Sequence, residues 1–342
     1  MIIDTEFNSA AQIPSQICIE AATLAEERGF GCIWKGESNS RDPMVLLSAM
    51  AMATSKVHLG TAIYHVYGRS PVSLAMQAAT LNELSGNRLI LGLGIANPVI
   101  AGWHGDTYEK PLRGLREYIE ILRAAYSGER VPDFQGMYHS TRGAFRLAFT
   151  PPSEPLRLWI AGLGPQMARL AGKLSDGIII NLANPKMIRQ VVADFRAGAR
   201  EAGRDPDRLD VVSKVRVALA DDPQQAYWTL KKVLTFYSLQ SGYSDMLAKM
   251  GWGEVVDQVQ AAHREEGFTA ARRLIPDAMV DDVPMYAARD LERLPAKIAE
   301  YAEAGATRCV VAYVPVGDDL RGELRTFLDS AVSHHLVGGG AA

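Results

Sequence analysis

Apolar runs alternate with amphipathic stretches along the whole chain. Eight runs have strand character, at residues 2–7, 31–36, 57–64, 88–95, 156–162, 176–181, 209–219 and 307–314. After the first run, apolar residues recur at the spacing of one helix face, at Ile17, Ala21, Leu24 and Ala25. A period that switches between strand and helix predicts repeated βα units around a parallel sheet.

Helix starts are marked by a capping residue followed directly by proline. These pairs are Asp42-Pro43, Ser70-Pro71, Gly164-Pro165, Asn184-Pro185 and Asp222-Pro223. Proline suits the first helical position because the N–H that it lacks would be unpaired there. Each pair follows a predicted strand, so we predict an α/β fold in which eight βα units close into a (β/α)8 TIM barrel. A doubly wound open sheet is the competing interpretation.

Two long intervals interrupt the βα rhythm. Helical insertions are expected at about residues 97–155, after the fourth strand, and 223–290, after the seventh. No Gly-, Ser- or Pro-rich linker flanks either interval, so we predict one domain over residues 1–334. Residues 335–342 are expected to form a disordered tail.

Composition narrows the classes of function. The 36 basic and 39 acidic residues give a formal charge of −3, which disfavours nucleic-acid binding. No run of about 18 apolar residues occurs, so no membrane span is expected. The start of the chain lacks the basic segment of a signal peptide, and three scattered cysteines fit a reducing cytoplasm. The seven histidines show no HExxH or HxH spacing, so no metal site is expected.

The active site of such a barrel forms at the carboxyl ends of its strands. The fifth strand ends in Gly162-Leu163-Gly164-Pro165-Gln166, where a helix is expected to begin. Glycines allow a ligand to approach the backbone, and the free N–H groups of a helix start favour an anion such as phosphate. An ordinary tight βα turn is the alternative.

Other strand ends carry weaker signals. The segment 92–97 resembles part of a dinucleotide fingerprint, but the third glycine is missing and no helix is expected directly after it. Lys214 and Arg216 share one face of the seventh strand, either as paired charges of the barrel or with Lys214 as a Schiff-base nucleophile. Trp34, Trp103 and Tyr64 either line an aromatic slot or pack in the core.

Five segments together resemble a known family. They are AEERGFGCIW (25–34), RDPMVLLSAMAMATSKVHLGTAI (41–63), SPVSLAMQAATLNELSGNRLILGLG (70–94), WHGDTYEKPLRGLREYIEILR (103–123) and AGLGPQMARLAGKLSDGIIINLANP (161–185). They resemble the luciferase-like flavin and deazaflavin oxidoreductase superfamily, most closely its coenzyme F420-dependent branch, which includes methylenetetrahydromethanopterin reductase. The resemblance is dense over about residues 1–220 and loose over 288–330, and residues 223–288 carry no part of it.

The resemblance implies a barrel that holds the cofactor at its carboxyl face. It implies a non-prolyl cis peptide at Ala62-Ile63, behind the ring, and an acidic neighbour of the ring at Glu37. The cofactor-binding candidates that it adds are Gly94, Ile95, Ala96 and Asn97 for the ring and side chain, and Ala161, Gly162, Gly164, Pro165 and Gln166 for the phosphate. Asn181, which ends the sixth strand, is a further candidate, and Trp34, Ser38 and Trp103 are candidates for substrate contact.

The chain departs from the family pattern at two positions. Many relatives have an acidic residue followed by histidine where this chain has Glu37-Ser38, and the sugar-phosphate dehydrogenases have glutamate where Asn97 stands. Both differences argue against the sugar-phosphate reaction. They leave the proton donor unassigned, and Glu37, His65, His104 and Tyr64 are candidates by position alone.

The resemblance implies an F420-dependent oxidoreductase that transfers a hydride between the deazaflavin C5 and a small organic substrate. The alternative is an FMNH₂-dependent two-component monooxygenase of the same fold, which requires a separate reductase. More distant alternatives are a non-catalytic flavin-binding protein or a Schiff-base lyase that uses Lys214. A homodimer or higher homo-oligomer is expected.

Overall fold

A closed barrel of parallel strands forms the centre of the computed structural model, which describes residues 1–7 and 12–338. The strands are β1 (Ile2–Phe7), β2 (Cys32–Lys35), β3 (His58–Thr61), β4 (Tyr64–His65), β5 (Leu89–Gly94), β6 (Phe134–Gln135), β7 (Ser140–Thr141), β8 (Arg157–Ala161), β9 (Gly177–Ile180), β10 (Asp210–Leu219), β11 (Met285–Ala288) and β12 (Arg308–Tyr313). Eight of them pair in the closed order β12-β1-β2-β3-β5-β8-β9-β10-β12. The predicted (β/α)8 barrel is confirmed, and the open-sheet alternative is wrong.

Helices cover the outside of the barrel and one of its ends. They are α1 (Ser15–Glu27), α2 (Pro43–Ala53), α3 (Pro71–Ser85), α4 (Pro98–Trp103), α5 (Pro111–Tyr126), α6 (Pro165–Leu174), α7 (Pro185–Glu201), α8 (Pro223–Ser238), α9 (Ser241–Leu247), α10 (Gly253–Glu266), α11 (Phe268–Arg273), α12 (Asp277–Asp282), α13 (Leu294–Glu303) and α14 (Leu320–Ser333). A π-helical turn over Ala248–Trp252 joins α9 to α10. Within the described residues, no helix is both long enough and apolar enough to cross a membrane.

The five predicted cap–proline pairs all begin helices, namely α2, α3, α6, α7 and α8. The side chains of Asp42, Ser70 and Asn184 each accept a hydrogen bond from a backbone N–H of the first turn. A sixth pair was missed. Asn97 caps α4, which begins directly at Pro98, so the expectation that no helix follows residue 97 is wrong. Proline at the first helical position leaves no unpaired N–H there, and at every one of these starts except that of α6 a side-chain cap also satisfies a first-turn donor.

The third predicted strand, residues 57–64, is interrupted. β3 ends at Thr61, the peptide Ala62-Ile63 is cis as expected, and β4 then pairs with β5 through Tyr64 and His65. The predicted strand is therefore two strands, β3 and the short β4, separated by two residues at the carboxyl end of the barrel.

Both insertions differ in detail from the prediction. In the interval 97–155, α5 packs against α3 as one of the helices around the barrel, so the additions are α4 and the hairpin β6–β7. The interval 223–290, hereafter the roof insertion, contains α8 to α12 and β11. β11 pairs with β10 outside the barrel. This strand was not predicted, because its sequence MYAA is short and has no strand pattern. The roof insertion has its own apolar core, which includes Leu230, Leu234, Met279 and Val280.

The end of the chain is ordered further than predicted. Residues 335–338 are described, and Val337 packs into the main apolar core, so the predicted disordered tail does not begin at 335. The apolar pair Leu336 and Val337 explains the difference, since both side chains leave water there. Residues 339–342 of that prediction lie outside the described residues.

Candidate active site

The strand ends bring three cofactor-binding candidates into contact. A Cβ atom placed on Gly94 would lie 2.5 Å from Cδ1 of Ile63 and 3.6 Å from Cβ of Ala161. Gly94 ends β5, Ile63 follows β3 and Ala161 ends β8. The ends of three neighbouring strands therefore meet at one point of the carboxyl face. Only glycine fits at position 94 without moving Ile63, because contacts of about 3.0 Å or less are not tolerated between carbon atoms.

The turn after β8 has the properties of an anion site. Gly164 precedes α6 with φ −83° and ψ 154°, and no side chain caps the helix. Gly164, Pro165 and Gln166 are exposed, and a Cβ on Gly164 would meet nothing within 4 Å. The backbone N–H groups of the first turn and the helix dipole are thus directed to open space. The predicted phosphate position has the donors and the room that a phosphate needs.

Glu37 lies at the end of β2 and is held by charge. Arg69 donates to both carboxylate oxygens, through Nη2 to Oε1 at 2.6 Å and through Nη1 to Oε2 at 3.0 Å. The backbone N–H of His65 donates to Oε2 at 3.0 Å, and the N–H of Glu37 itself donates to the carbonyl of Ile63 at 2.8 Å. These bonds fix the position of the Glu37 carboxylate beside the strand interruption.

His65 is buried beside this carboxylate. Its Nε2 lies 3.1 Å from Oε2 of Glu37, yet neither ring nitrogen makes a well-directed hydrogen bond within the described residues. The 3.1 Å separation places the imidazole within hydrogen-bonding reach of the carboxylate. Burial lowers the pKa of His65, although the Glu37 charge opposes this shift. The exposed ring of His104 lies 4.7 Å from the ring of His65, so a pair of imidazoles leads from the interior to solvent.

Arg69 is the functional residue that the sequence analysis missed. Besides Glu37, its guanidinium covers the ring of Tyr64 at 3.8 Å. Tyr64 donates its hydroxyl hydrogen to Asp42 at 3.1 Å, and burial raises the pKa of that phenol. Tyr64 is therefore a neutral phenol whose hydroxyl is engaged by Asp42. The signal for Arg69 was its position directly before the Ser70-Pro71 helix start, at a strand end of the barrel.

Asn97 joins β5 to the roof insertion. Its Oδ1 accepts the N–H of Ile100 as the cap of α4, and its Nδ2 donates to Oε1 of Gln240 at 3.1 Å. Ala96 adopts φ 43°, and its carbonyl accepts a bond from Tyr108 at 3.4 Å. The candidates Gly94 to Asn97 thus form one continuous edge of the site, with Ile95 packed against the main core.

Asn181, at the end of β9 and two strands along the barrel from β5, joins the barrel to the same insertion. It accepts a bond from Nη1 of Arg216 at 2.9 Å and donates to the hydroxyl of Tyr243 at 2.9 Å. Arg216 also donates to the hydroxyl of Tyr237 at 2.8 Å, and the rings of Tyr237 and Tyr243 meet edge to face at 4.5 Å. The partners of Arg216 within the described residues are neutral, so the structure does not bear out the paired-charge interpretation at this residue.

Lys214 and Glu6 form an ion pair inside the barrel, although Oε2 of Glu6 lacks ideal hydrogen-bond geometry. Their side chains are 7% and 6% exposed. Lys35 lies nearby and donates to the carbonyl of Phe7 at 2.9 Å. An ammonium group committed to a buried carboxylate is a poor nucleophile, so the geometry favours the structural role of Lys214 over a Schiff base.

The three candidates for substrate contact lie in different environments. Trp34 is fully buried in the barrel interior, where its ring lies 5.2 Å from that of Trp159 and its Nε1 donates to Asp4 at 3.0 Å. This favours the core interpretation. Trp103, at the end of α4, is 57% exposed, and Ser38 is exposed after β2. Among the described residues, no group of three or more His, Cys, Asp or Glu side chains is arranged to hold a metal.

Comparison with known proteins places this site in a family. Residues 6–308 match the family model of luciferase-like monooxygenases. The 5,10-methylenetetrahydromethanopterin reductase of Archaeoglobus fulgidus is 31% identical over 304 residues, which cover 86% of this chain and 89% of that protein. The structure of the coenzyme F420-dependent tetrahydromethanopterin reductase from Methanopyrus kandleri superposes with a TM-score of 0.83 at 25% identity, over 98% of this chain and 99% of that one.

The fold extends to oxygen-using relatives as well. A monooxygenase from Streptomyces bottropensis superposes with a TM-score of 0.72 at 19% identity, over 98% of this chain and 99% of that one. At that identity the likeness concerns the fold alone. The family match covers far more than half of the chain and agrees with the barrel and its carboxyl-face site. The chain therefore belongs to the luciferase-like monooxygenase family.

Proposed function

We propose that this oxidoreductase uses coenzyme F420 and transfers a hydride between C5 of the deazaflavin and a small organic substrate. The observation that carries the proposal is the uncapped, exposed start of α6 at the carboxyl face. It supplies an anion site in a chain that resembles an F420-dependent reductase over nearly its whole length.

The residues at the strand ends fit such a cofactor. Gly164 leaves space that a side chain would fill, and the N–H groups after it are available to a phosphate. Ile63, Gly94 and Ala161 make an apolar floor for a flat ring. F420, when bound, supplies a two-electron hydride donor or acceptor. The protein's contribution is to fix the ring against the substrate and to exclude water.

Proton handling is assigned to His65, with Glu37 and Arg69 as positioning residues. Both carboxylate oxygens of Glu37 accept bonds from Arg69, and Oε2 lies beside Nε2 of His65, so we assign Glu37 the role of orienting the imidazole. The low pKa of His65 keeps a neutral ring, which can accept a proton and pass it on. His104 extends this path to solvent, since its ring adjoins His65 and is exposed.

The roof insertion supports the substrate side of the proposal. Gln240 and Tyr243 bind Asn97 and Asn181, which follow β5 and β9 at the barrel mouth. A cover attached at two strand ends excludes water from the space beneath it. Phe236 and Trp103 are both more than half exposed near this cover, which supports a substrate with an apolar part.

An FMN-dependent monooxygenase is the second candidate. It is favoured by the family model and by the shared fold of a monooxygenase. FMN also ends in a phosphate, which the start of α6 would accept equally well. This alternative requires a separate reductase to supply FMNH₂.

We also propose a homo-oligomer in a reducing compartment. Val45 and Met52 of α2 are each 72% exposed, and Met76 and Leu84 of α3 are exposed beside them. A second copy of the chain would bury these apolar side chains. The three cysteines are buried and unpaired, which supports a cytoplasmic location.

The deciding experiment is a parallel titration of the purified chain with F420 and FMN, followed by oxygen-electrode assays with each reduced cofactor. We expect tight binding of F420 and turnover without oxygen consumption. Substrate-dependent oxygen uptake with FMNH₂, together with no binding of F420, would establish the monooxygenase instead.

A further inference from the structure

Arg216 lies where the interior of the barrel meets the roof insertion. Residues at steps of two along a strand face the same side, and Val212 of β10 packs in the apolar cluster inside the barrel. Lys214 and Arg216 therefore also face the interior. Ala218, the next residue of this series, packs in the core of the roof insertion. Arg216 is thus the inward-facing charge of β10 that lies nearest the cover, and it is 6% exposed.

The barrel interior holds one more cation than it holds carboxylates. Among the described residues, the buried charged side chains inside it are Asp4, Glu6, Lys214, Arg216 and Arg308. Arg308 donates to both oxygens of Asp4, at 2.7 and 2.9 Å, and Lys214 forms an ion pair with Glu6. Arg216 has no such partner in the described part of the chain, and residues 8–11 and 339–342 contain no aspartate or glutamate. It is a buried cation without a counter-charge.

The groups around Arg216 offer more hydrogen-bond donors than acceptors. A guanidinium has five N–H groups, and Arg216 uses two of them, toward Oδ1 of Asn181 and the hydroxyl of Tyr237. Because arginine cannot accept, the oxygen of Asn181 must face it, and Nδ2 of Asn181 then donates to the hydroxyl of Tyr243. Both phenols accept a bond in this way, and neither donates its own hydrogen to another described residue. Three N–H groups and two hydroxyl hydrogens remain for a ligand.

Aromatic rings surround these donors. The rings of Tyr237 and Tyr243 meet at 4.5 Å, and Phe236, which is 53% exposed, lies 5.5 Å from the ring of Tyr237. Burial raises the pKa of Tyr243, so its hydroxyl keeps the hydrogen that it can donate. Donors beside aromatic rings suit a molecule with an anionic end and an apolar body.

This cluster flanks the apolar floor proposed for the cofactor ring. β9, which Asn181 follows, pairs with β10 on one side and with β8 on the other. Ala161, at the end of β8, belongs to that floor. A ligand held by Arg216 beneath the roof is therefore placed beside the space above the floor.

We infer that Arg216, Tyr237 and Tyr243 bind the carboxylate of an organic-acid substrate. The inference names the substrate class of the proposed function and rests on it. A carboxylate accepts several hydrogen bonds at once and supplies the counter-charge that Arg216 lacks. It is a handle that takes no part in the hydride transfer. One unmatched positive charge suits a monoanion, since a dianion would leave a buried negative charge in its place.

The test uses benzoate as the probe and benzamide, which has the same shape and no charge, as its neutral counterpart. Both are titrated calorimetrically into the full chain, with and without F420. We expect the wild type to prefer benzoate and Arg216→Met to weaken benzoate binding at least tenfold. Circular dichroism checks that each variant is folded.

A milder pair of variants keeps Arg216 in place. Tyr237→Phe removes a spare hydroxyl hydrogen and should weaken benzoate binding about fivefold, which corresponds to one hydrogen bond. Tyr227→Phe is the matched control on the same helix, because the hydroxyl of Tyr227 already donates to Asp281 at 2.9 Å. Benzoate binding by this control should equal that of the wild type.

The outcomes separate this site from the proposed cofactor. Equal affinity of the wild type for benzoate and benzamide, or a preference for benzoate that survives Arg216→Met, would overturn the carboxylate site. A loss of F420 affinity in Arg216→Met as large as the loss for benzoate would also overturn it, by assigning Arg216 to the cofactor. Benzoate binding that depends on Arg216 in a chain that does not bind F420 would overturn the proposed function and leave the anion site intact.

Discussion

Asn97 and Gln240, 143 positions apart, are joined by a hydrogen bond of 3.1 Å across the mouth of the barrel. Asn97 caps α4 after the end of β5, and Gln240 lies between α8 and α9 in the roof insertion. The bond therefore ties the candidate cofactor edge to the cover above it. Tyr243 makes a corresponding hydrogen bond to Asn181 at the end of β9.

Replacing Gln240 by alanine should loosen the roof without unfolding the barrel. One neutral hydrogen bond contributes about 1 kcal/mol, so we expect a small loss of global stability. The amides of residues 237–243 should exchange with solvent distinctly faster, and KM for the substrate should rise more than kcat falls. Gln190→Ala is the matched control, because Gln190 binds Asp194 at 3.2 Å outside the roof. Unchanged exchange in the roof would contradict the assignment.

Gly164 permits a clean test of the anion site. Its φ of −83° suits any residue, and a Cβ there meets nothing within 4 Å, so neither Gly164→Ala nor Gly164→Glu should disturb folding. The glutamate places negative charge at the start of α6 and should lower cofactor affinity at least tenfold, or about 1.4 kcal/mol. The alanine variant should bind as the wild type does. Tight binding by a folded Gly164→Glu chain would show that the phosphate lies elsewhere.

The pH dependence of stability should reflect buried imidazoles. Burial lowers the pKa of His65, and of His58 and His139 as well. Below the unfolded pKa of about 6.5 the unfolded chain binds more protons than the folded one, so stability is lost as pH falls through that range. Above about pH 6.5 these imidazoles are neutral in both the folded and the unfolded chain, so no stability is lost to their protonation. Urea unfolding from about pH 5 to pH 8 would measure the slope.

His65→Gln should make that acid loss of stability less steep, because one of the three depressed imidazoles is removed. His263→Gln, at an exposed site of α10, serves as the control and should leave the slope unchanged. An identical slope for wild type and His65→Gln would mean that His65 titrates as it does in the unfolded chain.

The barrel could be predicted because its signals are local. Each cap–proline pair specifies a helix start through contacts of three or four residues, and each strand is a short apolar run. The start of α4 follows the same rule at Asn97-Pro98, although Pro98 and Gly102 in this segment argue against a helix when the sequence is taken alone. β11 escaped notice because Met285–Ala288 has no strand signal of its own and pairs outside the barrel.

The candidate site was predicted only as far as its backbone positions. Its polar contacts join residues that are distant in sequence, such as Glu37 with Arg69 and Asn181 with Arg216. No spacing rule relates such pairs, since the fold alone decides which strand ends meet. Roof residues such as Gln240 lie in the segment that carries no family resemblance, so their ties to the barrel had no sequence signal.

Glu6 and Lys214 provide the last test, which asks whether the lysine is structural. Their ion pair lies inside the barrel with both side chains less than 10% exposed. Removing one partner leaves an uncompensated buried charge, so Lys214→Met should cost about 3–5 kcal/mol of unfolding free energy. The double variant Glu6→Gln, Lys214→Met should cost clearly less than the two single changes added together, because no charge is then left alone.

Arg321→Met, which breaks the exposed pair with Glu20, is the control and should have a much smaller effect. Additive single and double costs would show that the pair contributes nothing to the fold and would return Lys214 to the list of reactive groups.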